Sequence, residues 1–161
     1  MQYFLDTEFD ERVDEQGRGI IWLISIGLVA DDGRRFYAEC EGFDWSTADP
    51  WLVENVKPHL SGVTESRDSI RDRLIGFVGD DTSPEFWAYV GAYDWVAMMQ
   101  LFGKMLHKPK TWPNRHRELK DFIEQTGLSK KDLPVQDGAV HKAVDDAEWN
   151  RKAYNFVTGQ R

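Results

Sequence analysis

Asp6 and Glu8 close the run YFLDTEF, Tyr3 to Phe9, with one residue between them. In an extended strand, residues i and i+2 share a face. The two carboxylates therefore lie side by side and repel unless a cation sits between them, and a hard divalent metal ion with oxygen ligands is the usual one. A lone Asp-x-Glu describes a solvated strand end equally well, so the chemistry needs partners from elsewhere in the chain. Asp94 follows the apolar run Phe86 to Val90 and Gly91, which places it at the start of a helix beyond a strand end. Taken alone it also reads as a first-turn aspartate that complements the helix dipole. His141 and Asp146 come from the segment HKAVDDAEWN.

Helical phase separates the two adjacent aspartates of that segment. At about 100° per residue from Ala143, Ala147 and Tyr154 fall within about 40°, Val157 near −40° and Asp146 near −60°. Asp146 thus borders the apolar stripe and needs a partner, whereas Asp145, near 200° on the same scale, should point to water. His141 precedes Asp146 by five residues, too far round to share its face, so it belongs to the loop or first turn before the helix. From there it can reach a ligand held by Asp146. Alone, His141 is also a surface or capping histidine.

The elements that must position these residues can be read in outline. Tyr3 to Leu5 form a buried strand, Asp10 to Gly19 a polar loop, and Ile20 to Ala30 a long buried strand. Asp31, Asp32 and Gly33 give a turn, and Arg34 to Cys40 returns as the third strand of an antiparallel meander. A short helix covers Trp51 to Val56, with Asp49 as its cap and Pro50 at its first position. Ile70, Leu74, Phe77 and Val78 give Ser66 to Val78 an amphipathic helical spacing. Phe86 to Val90 reads as a central strand, followed by helices over about Tyr93–Phe102, His116–Gln125 and His141–Val157, with loops between. A meander followed by helices alternating with strand gives an α/β domain with a mixed sheet, and ligands bind such sheets beyond strand ends.

The chain has 161 residues, the length of one domain, 1–161, with a sizeable core. A single cysteine, Cys40, and no basic-then-apolar leader point to a reducing cytoplasm. The most apolar run is too short for a membrane span. The formal net charge of −8 means that a nucleic acid would have to meet a local basic patch or bound metal ions. Cys40, His59, His107 and His116 lack zinc-site spacing and read as structural or surface residues.

The order Asp-x-Glu, then Asp, then His-x4-Asp is far more specific than any single member. It resembles the DEDDh family of 3'-to-5' exonucleases, which includes proofreading subunits, oligoribonuclease and RNase T. The likeness runs from Tyr3 to about Val157, and LISIGLV at Leu23 to Val29 looks like the family's second strand. Within the family, DTEF at Asp6–Phe9, ISIGLVADDGR at Ile24–Arg34, WAYVGAYDWVA at Trp87–Ala97 and HKAVDDA are similar to the RNase AS branch, small bacterial exoribonucleases acting on adenylate-rich RNA. One position departs: many relatives carry Asn four residues before the middle Asp, and here it is Val90. That argues against the proofreading and oligoribonuclease branches.

The resemblance implies an RNase H-like α/β fold, a mixed sheet of a three-strand antiparallel meander plus parallel strands, flanked by helices. It implies a metal-dependent 3'-to-5' exoribonuclease that degrades single-stranded, adenylate-rich RNA from a free 3'-hydroxyl and releases nucleoside 5'-monophosphates. Two ions, Mg²⁺ or Mn²⁺, about 3.5 to 4 Å apart would serve attack and departure at phosphorus. Asp6 would bridge them, Glu8 and Asp146 would complete the first, Asp94 would hold the second through water, and His141 would be the general base. RNase T and RNase AS also imply a homodimer.

For the substrate, Lys104 to Lys120 holds six Lys or Arg against the single acid Glu118. Lys104, Lys108, Lys110, Arg115 and Arg117 are thus a path for a phosphate backbone, or simply a solvated face. Phe9 and Trp22 are placed to stack on bases or to join the core, and Trp22, inside the apolar run, reads as core. A DNA exonuclease of the same chemistry and a binding module without turnover are the alternatives. A phospho-aspartate phosphatase fits less well, because Glu8 stands where its second Asp belongs.

Overall fold

The computed structural model describes residues 1–159. Three strands form the expected meander: β1 (Gln2–Val13), β2 (Gly19–Ala30) and β3 (Arg35–Cys40), antiparallel in sequence order. Short parallel strands extend it on both sides. β4 (Thr64–Glu65) pairs with β3, β5 (Glu85–Ala88) pairs with β1, and β6 (Arg117–Glu118) pairs with β5, giving the order β4-β3-β2-β1-β5-β6.

Strand alternation sorts the core into two layers. Tyr3, Leu5, Ile26 and Leu28 pack against α2 (Arg67–Val78) and α3 (Ala92–Gln100) through Ile70, Leu74, Trp95 and Met98. On the other face, Phe4 and Trp87 meet α4 (Leu119–Gln125) and α5 (Ala143–Thr158) through Leu119, Ile123, Trp149, Ala153 and Tyr154. The short helix α1 (Pro50–Asn55) packs Leu52 beside Ile24, and its cap is as expected, Asp49 accepting from the Trp51 N–H. No helix among the described residues is long and apolar enough to cross a membrane.

Four local readings change. Asp10 to Gly19 is not one loop, because β1 continues to Val13 and pairs with β2 as an arm beyond the sheet. On its β1 side Asp10 to Arg12 are polar, so that half of the arm shows no apolar alternation. β4 and β6 are two residues each, too short for any periodic signal. Trp22 is not core: it lies on the arm, is 36% exposed and is partly covered by the Arg12 guanidinium. The helix expected from His116 begins only at Leu119, since Arg117 and Glu118 are spent on β6.

Candidate active site

The site lies where β1 outruns β5. β5 pairs only with Gln2 to Phe4, so the next backbone groups on that edge of β1 lack a strand partner. Side chains from two helices replace it. Asn150 of α5 donates its amide to the Leu5 carbonyl at 3.0 Å, and Asp94 Oδ1 of α3 accepts both the N–H and the hydroxyl of Thr7 at 2.7 Å. The sheet's unmet hydrogen bonds therefore draw α3 and α5 together at this point.

Asp6 sits opposite Gly27 in the β1–β2 ladder, and α5 begins directly on that glycine. A Cβ at Gly27 would lie 2.3 Å from the Ala143 backbone, so only glycine permits the contact. One turn later Asp146 reaches the carboxylates of β1. Ligand oxygens of Asp6, Glu8 and Asp146 lie within 4.8 Å of one another. Asp146 is held there by the Gln136 amide at 2.8 Å and by the Lys142 N–H at 3.0 Å.

His141 precedes α5 in a left-handed conformation, φ 64°, which lifts its side chain out of the helical path. Its ring meets Trp51 of α1 edge to face, centroids 4.7 Å apart. Asp6, Glu8, Asp94, His141 and Asp146 all line one open cavity of about 370 Å³, a small-ligand size.

The electrostatics are those of a site short of positive charge. Burial pushes the Asp6 carboxyl well above the usual range, and Asp94, Asp146 and Glu8 add repulsion. Burial, then Asp146 and Asp94, raise Glu8 to about 8. Burial also raises Asp94 and Asp146, against the opposing hydrogen bonds from Thr7 and from Gln136 and Lys142. No ion pair among the described residues involves any of these four. Oxygen-only ligands at this spacing, unneutralised by Lys or Arg, suit a hard divalent cation.

Asp145 departs from its reading. It does face away from the cluster, but it is partly buried and pairs with Arg35 at 3.0 Å instead of pointing to water. Phe9 lines the cavity and packs against Tyr93 with the rings tilted, centroids 5.6 Å apart. Trp22 does not line it. Nor do Lys104, Lys108, Lys110, Arg115 or Arg117. α3 starts at the site and runs away from it, so the segment after it lies at the far end of the sheet, where Trp112 packs on Phe86 and Arg117 pairs with Glu85.

The cavity has instead one cation that the sequence reading missed. Lys130 Nζ lies 5.5 Å from the Tyr89 ring centroid and 5.2 Å from that of Trp149. Gln136 and Tyr93 were missed as well. Tyr93 had a signal, since it neighbours Asp94 at the start of a helix whose buried stripe excludes it. Lys130 and Gln136 sit in an aperiodic connection and had none.

Comparison with known proteins places the chain in a class. The fold is that of the DEDD exonucleases. The nuclease domain of 3'hExo, a DEDDh family member solved bound to rAMP, superposes with a TM-score of 0.55 at 12% identity, over 98% of this chain and 92% of that one. S. pombe Pop2p, solved in a Mg²⁺- and Mn²⁺-bound form, gives 0.53 at 15% identity over 98% and 81%. Residues 1–158 match the model of the Rv2179c-like 3'-5' exoribonuclease domain, and the chain belongs to that family. The 3'-5' exoribonuclease Rv2179c of Mycobacterium tuberculosis, which is RNase AS, is 41% identical over 98% of this chain and 94% of its own length. The chain is accordingly a 3'-5' exoribonuclease, a hydrolase.

Proposed function

We propose that this single-domain enzyme degrades single-stranded RNA from a free 3'-hydroxyl, prefers adenylate, and releases nucleoside 5'-monophosphates with the help of two divalent ions. The observation that carries the reading is the cluster of Asp6, Glu8 and Asp146 within 4.8 Å, none of them in an ion pair among the described residues, in one cavity with His141. Asp6, Glu8 and Asp146 would hold one ion, and Asp6 with Asp94 the other. Mg²⁺ or Mn²⁺ bound there supplies Lewis acidity to the phosphoryl group and stabilises charge on the departing 3'-oxygen.

The chain's own residues do the rest. His141 takes the proton from the attacking water, the part of a general base within reach of the reacting centre. Its left-handed backbone and the Trp51 edge fix the ring's direction. Phe9 and Tyr93, their rings tilted against each other, offer an aromatic surface to the terminal base. Lys130 faces the same space as the only Lys or Arg among the described residues of its lining, a partner for a backbone phosphate. A duplex end must fray before its last nucleotide enters a cavity of about 370 Å³, so single strands are cut faster. RNA is told from DNA through the 2'-hydroxyl. Adenylate preference and a homodimeric assembly rest on the likeness to RNase AS, because stacking alone tolerates every base.

The test compares rates on 3'-labelled oligomers of A, U and C as RNA, and of A as DNA, at one salt and one Mg²⁺ concentration. The expected order is A-RNA first and A-DNA last. Equal rates on the three RNAs remove the adenylate claim, and faster cleavage of the DNA removes the RNA claim.

A further inference from the structure

One carboxylate of the basic stretch turns away from solvent and toward the backbone that precedes α3. Val90 N–H donates to Glu118 Oε1 at 2.7 Å, and Gly91 N–H donates to Oε2 at 2.9 Å. Glu118 itself is anchored. It pairs with Ala88 in the sheet, and its Oε1 also accepts from the Lys120 N–H at 3.0 Å as the cap of α4. His116 Nε2 lies 3.5 Å from Oε2.

The turn it holds would not hold itself. Val90 has φ 57° and is 60% exposed. For a β-branched residue that left-handed conformation is a true outlier, costly unless its surroundings impose it. Gly91 folds back so tightly that a Cβ there would lie 2.2 Å from the Ala88 Cβ. Gly91 is also the N-cap of α3 and has no side chain with which to fix the helix start. Its carbonyl accepts the first helical bond, from the Trp95 N–H at 2.9 Å. Asp94 comes within that first turn, and its Oδ1 must land on the N–H and hydroxyl of Thr7.

We propose that Glu118 is a positioning residue for Asp94: by gripping two successive backbone N–H groups it imposes the Val90–Gly91 turn and so sets where α3 begins. It acts through the backbone and does not line the carboxylate cavity. The inference rests on the reading of Asp94 as part of the reacting site, and a second readout, the Thr7 amide, does not depend on that reading.

Four variants test it. In Glu118→Ala, kcat falls about 10- to 100-fold, the effect of an ångström-scale misplacement, while KM stays within about threefold, since no substrate contact is removed. Amide hydrogen exchange at Thr7, whose N–H is bonded to Asp94, accelerates at least about tenfold as that local bond opens more often. The double variant Glu118→Ala/Val90→Asn recovers a large part of both, because Asn adopts the left-handed region far more readily than Val. A purely structural loss would not be rescued by that exchange of one exposed residue. Wild-type kcat and wild-type Thr7 protection in Glu118→Ala overturn the proposal, as does a double variant no better than the single. If Glu118→Ala does not fold, Glu118→Gln, which keeps one acceptor, should be intermediate in both readouts, and wild-type values there overturn it equally. Asp94→Asn separates the two readings: wild-type turnover in that variant sinks the role of Asp94 and leaves the exchange test of Glu118 intact.

Discussion

Glu8 and Glu39 stand in one row of the sheet, each opposite Ser25, Glu8 on β1 and Glu39 on β3. Both are buried, at 8% and 2% exposure. Their surroundings differ completely. Glu39 accepts from the Tyr37 hydroxyl at 2.9 Å and from the N–H groups of Ser61 at 2.6 Å and Gly62 at 2.9 Å. Glu8 has burial and two neighbouring aspartates, and its carboxyl rises to about 8. Burial of an acid therefore does not mark a reacting site. Of these two glutamates, the one that has donors is holding a loop, and the one that lacks them is a place for a cation.

The largest effect that can break this contrast comes from removing each charge in turn. Glu8→Gln should lower turnover by about 10³-fold, the upper range for losing one electrostatic stabiliser, while the metal-free chain melts higher than wild type. Glu39→Gln should do the opposite, keeping most activity and losing about 1 to 3 kcal/mol of stability as a buried N–H loses its acceptor. Thermal melts and initial rates on one RNA oligomer check both, and matching signs in the two variants would undo the comparison.

The same contrast recurs within one turn of α5. Asp146→Asn should cost about 10² to 10³ in rate, whereas Asp145→Asn, which gives up only its partly exposed partners Arg35 and Lys142, should stay within about threefold of wild type. Equal losses in the two would mean that the cluster extends to both residues.

The smallest effect is a pH-dependent shift in melting. A carboxyl whose folded value is raised is unfavourable to the fold once pH exceeds its unfolded value, about 4.3 for Glu, and the burden grows until pH passes the folded value of about 8 for Glu8. Bound ions relieve it. The melting gap between Mn²⁺-loaded and metal-free protein should therefore widen from pH 5 to pH 8, to about 5 to 10 °C with the ion at about 100 times its Kd. A gap that narrows over that range would contradict the assignment.

Sequence reading reached the carboxylates because each lies at a place that spacing describes: Asp6 and Glu8 on alternate residues of a strand, Asp94 after a strand and a glycine, Asp146 at a helical phase. It missed what surrounds them. Phase says which way Asp145 points, but not that Arg35 from β3 waits there. The connection that supplies Lys130 and Gln136 has no period to read. Nor does the basic stretch announce that Glu118, its one acid, is turned to the backbone of another segment. Val90 carried a usable signal, since the position where many relatives have Asn proves to be left-handed, a conformation Asn tolerates and Val resists.

The glycine under α5 has a consequence for mutational tolerance. Large side chains in a core are usually the least replaceable, and small ones on a strand the most. Here the order inverts. Trp22, far larger, lies on an arm with room around it, and its loss should be borne easily. At Gly27 even one methyl group would collide with the Ala143 carbonyl carbon and oxygen and with the Val144 nitrogen. These are main-chain atoms that cannot rotate aside, so the helix itself would have to lift. The span between Asp6 and Asp146 is thus gauged by main chain against main chain, and the least substantial residue in the sheet is the one with the fewest acceptable replacements.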